Sequence, residues 1–277
     1  DDVSDAGTPT VATVNYPLAY FAERIGGDFL AVEFPAIDGD PAFWEPKTTE
    51  IVAYQQADLI LLNGANYAKW VPKVSLAQAK LVNTSARFTE KLIPLTNEVN
   101  HTHGPGGAHA HGDTAFTTWL DPQLAIQQAA AIRDAFAARW PDHEAEFEAG
   151  CQDLLTDLNK LGADTKNAFA PLGDGPLLGS HPVYQYLARH YGLNMKSLHW
   201  EPDAAPDEAM WQELDTLVSS HPATIMLWEA EPLPQTREKL SAKGIKSIVF
   251  DPCGNRPGSG DYLRVMEENN SNVSDGR

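Results

Sequence analysis

Short apolar runs alternate with stretches of helical periodicity along the first half of the chain. Four runs rich in apolar residues predict strands, at residues 10–16, 29–35, 58–63 and 80–83. Apolar residues at helical spacing predict helices at 18–25, 48–56, 68–74 and 122–140. Strands that alternate with helices form mostly parallel sheets covered on both faces, so this half predicts an α/β lobe.

The second half repeats the alternation. Strands are predicted at 176–179, 194–199, 224–228 and 245–251, and helices at 184–191, 207–220, 233–242 and 261–267. Between the halves, residues 141–169 have helical spacing without an interior proline, and Gly150 and Gly162 are the weak points. Such a helix reaches about 40 Å at roughly 1.5 Å per residue. The predicted fold class is α/β, with two lobes of mostly parallel sheets joined by one long spine helix.

This pattern divides the chain into four parts. They are an N-terminal α/β lobe at 9–140 with a histidine-rich loop at 97–113, a linking helix at 141–170, a C-terminal α/β lobe at 171–267 and a polar tail at 268–277. The polar sequence of the tail predicts that it frays. Ligands of open parallel sheets bind beyond the carboxyl ends of the strands, so the strand ends of both lobes are expected to face a shared cleft.

Four histidines lie close together in the loop at 97–113: His101, His103, His109 and His111. Imidazole is the commonest protein ligand for zinc, and a glycine-rich tether lets several imidazoles converge on one ion. We predict that this loop contacts metal, as part of the main site or as an accessory to it. A solvated loop without metal is the alternative interpretation.

Charge and composition exclude several classes of protein. The 277 residues include 38 acidic and 20 basic side chains, which gives a net charge of −18. Nucleic acid binding needs a basic face, so nucleic acid is not expected as a partner. No apolar run approaches the length of a membrane span. The opening DDVSDAGTPT is typical of a mature terminus from which a leader has been removed, or of a truncated start.

Signatures of catalysis are missing from the sequence. A zinc hydrolase typically carries His-Glu-x-x-His on a helix, and this motif does not occur. The chain also lacks a Gly-x-Ser-x-Gly elbow, a Walker loop and a Gly-x-Gly-x-x-Gly turn after a strand. We therefore expect a binding protein rather than an enzyme.

Five segments that follow predicted strands contain most of the candidate chemistry. They are residues 40–46 (DPAFWEP), 117–122 (TTWLDP), 180–186 (SHPVYQY), 227–229 (LWE) and 250–253 (FDPC). Together with residues 56–64 (QADLILLNG), the long spine helix and the histidine-rich insertion before Trp119, they resemble the metal-binding solute receptors of ABC importers. That family includes zinc and manganese receptors of bacteria, and the resemblance runs from Thr10 to about Glu267.

The resemblance implies a periplasmic receptor that binds a divalent metal ion between two lobes and delivers it to an ABC permease. His181 matches the ligand of the second lobe, and Asp251 matches the ligand aspartate near the C-terminus. Zinc is expected as the metal rather than manganese, because imidazole-rich sites favour zinc and oxygen-rich sites favour manganese. The receptor is expected to be a monomer.

Two further ligand positions of the family do not carry over. Ala42 and Thr117 stand where the family usually has histidine. Zinc normally takes four donors, so His181 and Asp251 are too few. The loop histidines are one source of the missing ligands. Other nearby donors are a second source: Glu229, Cys253, His199 and Glu201.

A third explanation is that the site no longer binds a bare ion. Large aromatic side chains with a few polar groups typically line pockets for organic ligands. Phe43, Trp44, Thr117 and Trp119 would line such a cleft, with Trp200 and Trp228 close to strand ends. A metal chelate or other small molecule is then the ligand, although tryptophans often serve only for packing. A periplasmic metal buffer or chaperone without a transporter is a further alternative.

The two cysteines leave several interpretations open. Cys151 lies on the predicted spine helix, and Cys253 follows Asp251-Pro252. One interpretation is that they form a disulfide in an oxidising compartment. A second is that both are buried thiols, and a third is that Cys253 supplies a soft metal donor.

Overall fold

Helices and strands alternate along the chain. The computed structural model describes residues 7–95, 101–102, 108–109 and 114–276. Within them, the helices are α1 (Tyr16–Gly26), α2 (Thr48–Gln56), α3 (Pro122–Arg139), α4 (Glu144–Phe169), α5 (Gln185–Tyr191), α6 (Glu208–Ser220), α7 (Pro234–Ala242) and α8 (Tyr262–Asp275). The strands are β1 (Thr10–Thr13), β2 (Ala31–Glu33), β3 (Leu59–Leu62), β4 (Leu81–Asn83), β5 (His101–Thr102), β6 (Ala108–His109), β7 (Leu177–Gly179), β8 (Met195–Ser197), β9 (Ile225–Trp228) and β10 (Lys246–Val249). Among the described residues, none of the helices combines the length and the apolar character that a membrane span needs.

The chain folds into two units, each assembled from three segments. The first takes the described residues of Asp1–Leu92, Pro122–Asn159 and Cys253–Tyr262, and the second takes those of Ile93–Asp121, Lys160–Pro252 and Leu263–Arg277. Helix α4 begins in the first unit and ends in the second, so a long helix links them as predicted. The predicted fold class is confirmed.

The sheet of the first unit is parallel throughout, with the strand order β2-β1-β3-β4. Strands β1 and β3 are largely buried, as expected for central strands covered on both faces. Helix α1 begins soon after β1 because Asn15 caps it. The Asn15 side chain accepts a hydrogen bond from the backbone N–H of Leu18 at 3.1 Å, and Pro17 occupies the first turn.

The sheet of the second unit is also parallel, with the strand order β10-β9-β7-β8. Strand β9 is central and buried at every position. A hydrophobic cluster that includes Trp200, Trp211 and Trp228 packs with Leu178 and Leu240. All strands of a parallel sheet end at the same edge, so the residues that follow β7, β8, β9 and β10 come together there.

Two predicted elements are wrong in part. Residues 68–74, expected to be a helix, form only a short 3₁₀ turn at Val71–Lys73, because Pro72 has no N–H to continue an α-helical ladder. The polar tail expected to fray from residue 268 is instead the continuation of α8 to Asp275. Val273 is fully buried, and the Asn269 side chain bonds to the backbone of Asp251. The burial of Val273 and the hydrogen bonds of Asn269 hold in place a segment whose composition alone predicts disorder.

Neither cysteine forms a disulfide, and both are buried. Burial raises the pKa of the Cys151 thiol. The Sγ atom of Cys253 lies 3.9 Å from the backbone oxygen of Asn255. Both cysteines belong to the first unit. The structure therefore matches the interpretation of buried thiols.

Gly150 lets helix α4 approach helix α1 closely. A Cβ atom on Gly150 would lie 2.6 Å from the backbone oxygen of Arg24 and 3.0 Å from that of Ile25. These are backbone atoms, which cannot turn aside as a flexible side chain would. We expect Gly150→Ala to lower the free energy of unfolding by roughly 2 kcal/mol, although alanine favours a helix by about 1 kcal/mol.

Denaturant titration measures this change. Gln152→Ala, at an exposed position of the same helix, is the matched control and should change stability by less than about 0.5 kcal/mol. If Gly150→Ala were as stable as the control, the close approach of the two helices would be contradicted.

Candidate metal centre

Five potential metal ligands lie at the carboxyl edge of the sheet in the second unit. Strand β7 ends two residues before His181, β8 two residues before His199 and four before Glu201, β9 directly before Glu229, and β10 two residues before Asp251. The strand order places these residues along the edge as Asp251, Glu229, His181 and then the pair His199 and Glu201. We call these five residues the donor row.

Backbone hydrogen bonds continue the sheet past its strand ends and hold the donor row. The N–H of Ser180 donates to the carbonyl of Leu227 at 2.8 Å, and the N–H of Trp200 donates to the carbonyl of Ser180 at 2.7 Å. The N–H of Phe250 donates to the carbonyl of Trp228 at 2.8 Å. Each bond involves a residue directly adjacent in sequence to a member of the donor row, so the row stands on an ordered backbone.

His181 lies between two carboxylates. Its Nδ1 is 3.2 Å from Oε1 of Glu229, and its Nε2 is 3.8 Å from Oε1 of Glu201. The side chain of His181 is only 10% exposed, whereas those of Glu229 and Glu201 are 24% and 37% exposed. The imidazole is therefore largely enclosed, with a carboxylate at each ring nitrogen.

His199 contacts His181, and Asp251 acts with Glu229 on a buried tyrosine. The ring of His199 stands edge-on to that of His181, with 5.8 Å between the centroids and 86° between the planes. Burial raises the pKa of the Tyr184 hydroxyl well above its usual range, and the negative charges of Glu229 and Asp251 raise it further. The Tyr184 hydroxyl donates to the carbonyl of Phe250 at 2.8 Å. Glu229 and Asp251 thus act electrostatically on the same buried hydroxyl.

Imidazole nitrogen and carboxylate oxygen are both zinc donors, so the chemistry of the donor row fits a zinc ion. Three carboxylates beside two imidazoles also make the local potential favourable for a cation. In the part of the chain that the structure describes, no three His, Cys, Asp or Glu side chains already stand in a metal-binding arrangement. Within these residues the row is therefore a set of candidate donors rather than an assembled site.

The histidine-rich loop is described only in part. His103 and His111 lie outside the described residues. His101 and His109 lie directly opposite each other in the antiparallel pair β5 and β6, next to the pair Thr102 and Ala108. The backbone thus brings two of the four loop histidines into register, and metal contact by the loop stays a prediction.

The two positions where the family usually has histidine have taken on structural roles. Ala42 is buried in a 3₁₀ turn at Pro41–Phe43, and its N–H donates to Oδ1 of Asp40 at 2.8 Å. Thr117 is buried in the second unit, and its hydroxyl donates to the carbonyl of Val183. Neither residue supplies a ligand comparable to imidazole.

The aromatic side chains expected to line a cleft take part in packing. Phe43 lies beneath the ammonium group of Lys69, 5.4 Å from its ring centroid, and Trp44 packs edge-to-face on Trp70 at 6.0 Å. Trp119 is buried, and its indole N–H donates to the carbonyl of Pro252 at 2.7 Å. Trp200 and Trp228, also considered for an organic pocket, are fully buried in the core of the second unit.

Sequence reasoning missed two residues that support the site. Tyr184 and Asn269 hold the backbone around Asp251: Tyr184 through Phe250, and Asn269 through both polar backbone groups of Asp251. Asn269 fell in the segment expected to fray, and an asparagine in a polar run carries no signal of burial. Tyr184 lay in the quoted 180–186 segment, without a role assigned to it.

Comparison with known proteins gives a match over nearly the whole chain. Residues 11–276 match the model of the family described as ZnuA, zinc-uptake complex component A, periplasmic. The zinc-binding lipoprotein AdcA of Streptococcus pneumoniae strain R6 is 27% identical over 275 residues, which cover 95% of this chain and 54% of AdcA. The zinc-binding protein AdcA of Streptococcus pyogenes serotype M3 is 25% identical over 283 residues. The chain spans about half the length of these curated relatives.

Solved structures show the same fold. The zinc-bound ZnuA-like domain of Streptococcus pneumoniae AdcA matches with a TM-score of 0.81 and 24% identity, covering 98% of this chain and 99% of that domain. The metal-dependent lipoprotein YcdH of Bacillus subtilis matches with a TM-score of 0.81 and 22% identity, covering 97% of this chain and 99% of YcdH.

Proposed function

Since this chain belongs to the ZnuA family of zinc-uptake components, we propose that it captures a zinc ion outside the cytoplasm and delivers it to the permease of an ABC importer. His181 and Asp251, which match ligand positions of the resembled receptors, are the proposed primary ligands. We place the protein in the periplasm, or tethered at the outer side of the membrane, and infer that it acts as a monomer.

The donor row is the observation that supports this proposal most directly. Four neighbouring strand ends each contribute an imidazole or a carboxylate, and these are the donor types that zinc accepts. The function proposed is binding and delivery rather than catalysis.

Zinc is favoured over manganese because the row contains two imidazoles. Manganese prefers hard oxygen ligands, whereas imidazole suits zinc. An organic ligand is the weaker candidate, since Trp119, Trp200 and Trp228 are all buried within the second unit. A metal buffer without a transporter would share every ligand with the receptor, and co-purification with a permease separates the two.

Zinc binding by the full chain tests the proposal. We expect elemental analysis and calorimetric titration of the metal-stripped protein to show one tightly bound zinc, with manganese bound much more weakly. Absence of any tight zinc phase would overturn the proposal and favour the organic-ligand alternative.

Deletion of residues 100–112 tests whether the histidine-rich loop is part of the main metal site or an accessory to it. We expect the fold to survive, because a surface insertion contributes little to a core. We propose the accessory role, since the glycines of the loop impose an ordering cost on any closed site that includes it. The deletion should then lower zinc stoichiometry while the tightest site keeps its affinity. A loss of roughly a hundredfold in Kd, about 3 kcal/mol, would instead make the loop part of the main site.

A further inference from the structure

His181 has a carboxylate beside each of its ring nitrogens, at different distances. Glu229 lies 3.2 Å from Nδ1, which is within hydrogen-bonding distance. Glu201 lies 3.8 Å from Nε2, which is too long for a direct hydrogen bond. Glu229 is therefore near enough to the imidazole of His181 for a hydrogen bond, whereas Glu201 is not.

We infer that Glu201 is a zinc ligand that shares the ion with Nε2 of His181, and that Glu229 is a positioning residue that holds His181 through Nδ1. This inference rests on the proposed function and adds two residues to it. It supplies part of the coordination that Ala42 and Thr117 no longer provide.

The position of Glu229 beside Nδ1 favours Nε2 of His181 as the metal-binding nitrogen. A neutral imidazole carries one N–H, and a carboxylate accepts that hydrogen. When Nε2 binds zinc, the one hydrogen of the neutral ring is on Nδ1, whose nitrogen lies 3.2 Å from Oε1 of Glu229. Metal-bound histidines commonly have such a carboxylate behind them, which fixes the ring and makes the ligand more basic.

The gap between Nε2 and Glu201 suits a shared ion. Zinc lies about 2.0–2.1 Å from a histidine nitrogen and about 2.0–2.2 Å from a carboxylate oxygen, so two such donors at a tetrahedral angle are roughly 3.4 Å apart. The observed separation of 3.8 Å is only slightly larger. Glu201 is the most exposed of the three side chains, and a small rotation closes the difference.

The two strand ends that carry His181 and Glu201 are adjacent in the sheet. Leu198 and Trp200 donate backbone hydrogen bonds to Gly179 and Ser180, at 2.9 and 2.7 Å. The backbones on either side of the proposed ion are thus joined directly, within one unit.

Zinc titration of the full chain, in competition with a chromophoric chelator, tests the inference with four isosteric variants. Glu201→Gln and Glu229→Gln remove one charge each. Asp203→Asn and Glu231→Gln are their matched controls, since both lie two residues further along the chain and are exposed. We expect each of the first two to weaken zinc binding about 10- to 100-fold and the controls to change it less than about twofold.

Cobalt distinguishes the ligand from the positioning residue. Visible absorption of bound Co²⁺ reports the number and type of ligands. We expect Glu201→Gln to change the spectrum, because a ligand is replaced. Glu229→Gln should keep the band positions at saturation. Glu229→Ala, which removes the acceptor altogether, should bind zinc more weakly than Glu229→Gln, because the amide oxygen still accepts from Nδ1–H.

The outcomes separate this inference from the proposed function. Tight zinc binding by the unaltered protein that is lost in His181→Ala, but kept in both glutamine variants, would overturn the inference alone. An unchanged cobalt spectrum in Glu201→Gln would also overturn the assignment of Glu201 as a ligand. No zinc binding by the unaltered protein would overturn both proposals. Thermal unfolding of each metal-free variant shows that the glutamine substitutions leave the fold intact.

Discussion

Replacing His181 and Asp251 together by alanine is expected to remove tight zinc binding. Both residues match ligand positions of the resembled receptors, and both stand at strand ends of the sheet in the second unit. Neither Ala42 nor Thr117 supplies an imidazole that could compensate. We expect Kd to rise at least roughly a hundredfold, about 3 kcal/mol or more, in a calorimetric titration of the metal-stripped protein.

The matched control replaces another histidine and another aspartate of the same unit. His190 and Asp203 are both exposed and lie outside the donor row. His190→Ala with Asp203→Ala should bind zinc with the affinity of the unaltered protein. Unchanged affinity and stoichiometry in the His181 and Asp251 variant would show that the ion is held elsewhere.

Asn269→Ala should be strongly destabilising, with an expected loss of roughly 3 kcal/mol in the free energy of unfolding. The buried amide of Asn269 accepts from the N–H of Asp251 at 2.9 Å and donates to its carbonyl at 2.7 Å. Alanine leaves both backbone groups without this partner, and each buried polar group left unsatisfied costs about 1–3 kcal/mol. Zinc affinity should fall as well, because Asp251 is no longer held in position.

Asn272→Ala is the control for this substitution. Asn272 lies one turn further along helix α8 and donates a single exposed hydrogen bond, to the carbonyl of Val249 at 3.1 Å. Its loss should cost less than about 1 kcal/mol, measured by denaturant titration. Equal stability of the two variants would argue that the amide of Asn269 contributes nothing beyond helix formation.

Most of the fold could be predicted because its strands are short, apolar and separated by helices. Residues 59–62 (LILL) and 225–228 (IMLW) are uninterrupted apolar runs, and each is a central buried strand. Helix α4 could be predicted from its spacing. Its Gly150 reads as a weakness in the sequence, and only the structure shows the backbone of Arg24 and Ile25 that requires it.

The candidate site could be predicted only in part. The resemblance identified His181 and Asp251 as ligands. The sequence offered Glu201, Glu229 and His199 only as possible replacements for the two histidine ligands that are missing. Their arrangement depends on the strand order β10-β9-β7-β8, which the sequence of elements alone does not determine. The tryptophans illustrate the opposite case. A tryptophan near a strand end is compatible with a pocket or with a core, and its neighbours in space decide between them.

The five members of the donor row stand at the starts of four loops, and His199 and Glu201 share the loop after β8. A substitution at one strand end leaves the hydrogen-bonded frame beneath the other three untouched, because that frame is made by backbone atoms. An imidazole can therefore be exchanged for a carboxylate at one strand end without removing the backbone hydrogen bonds at the others. A fold with this property separates the choice of side chains at the sheet edge from the stability of the sheet beneath them.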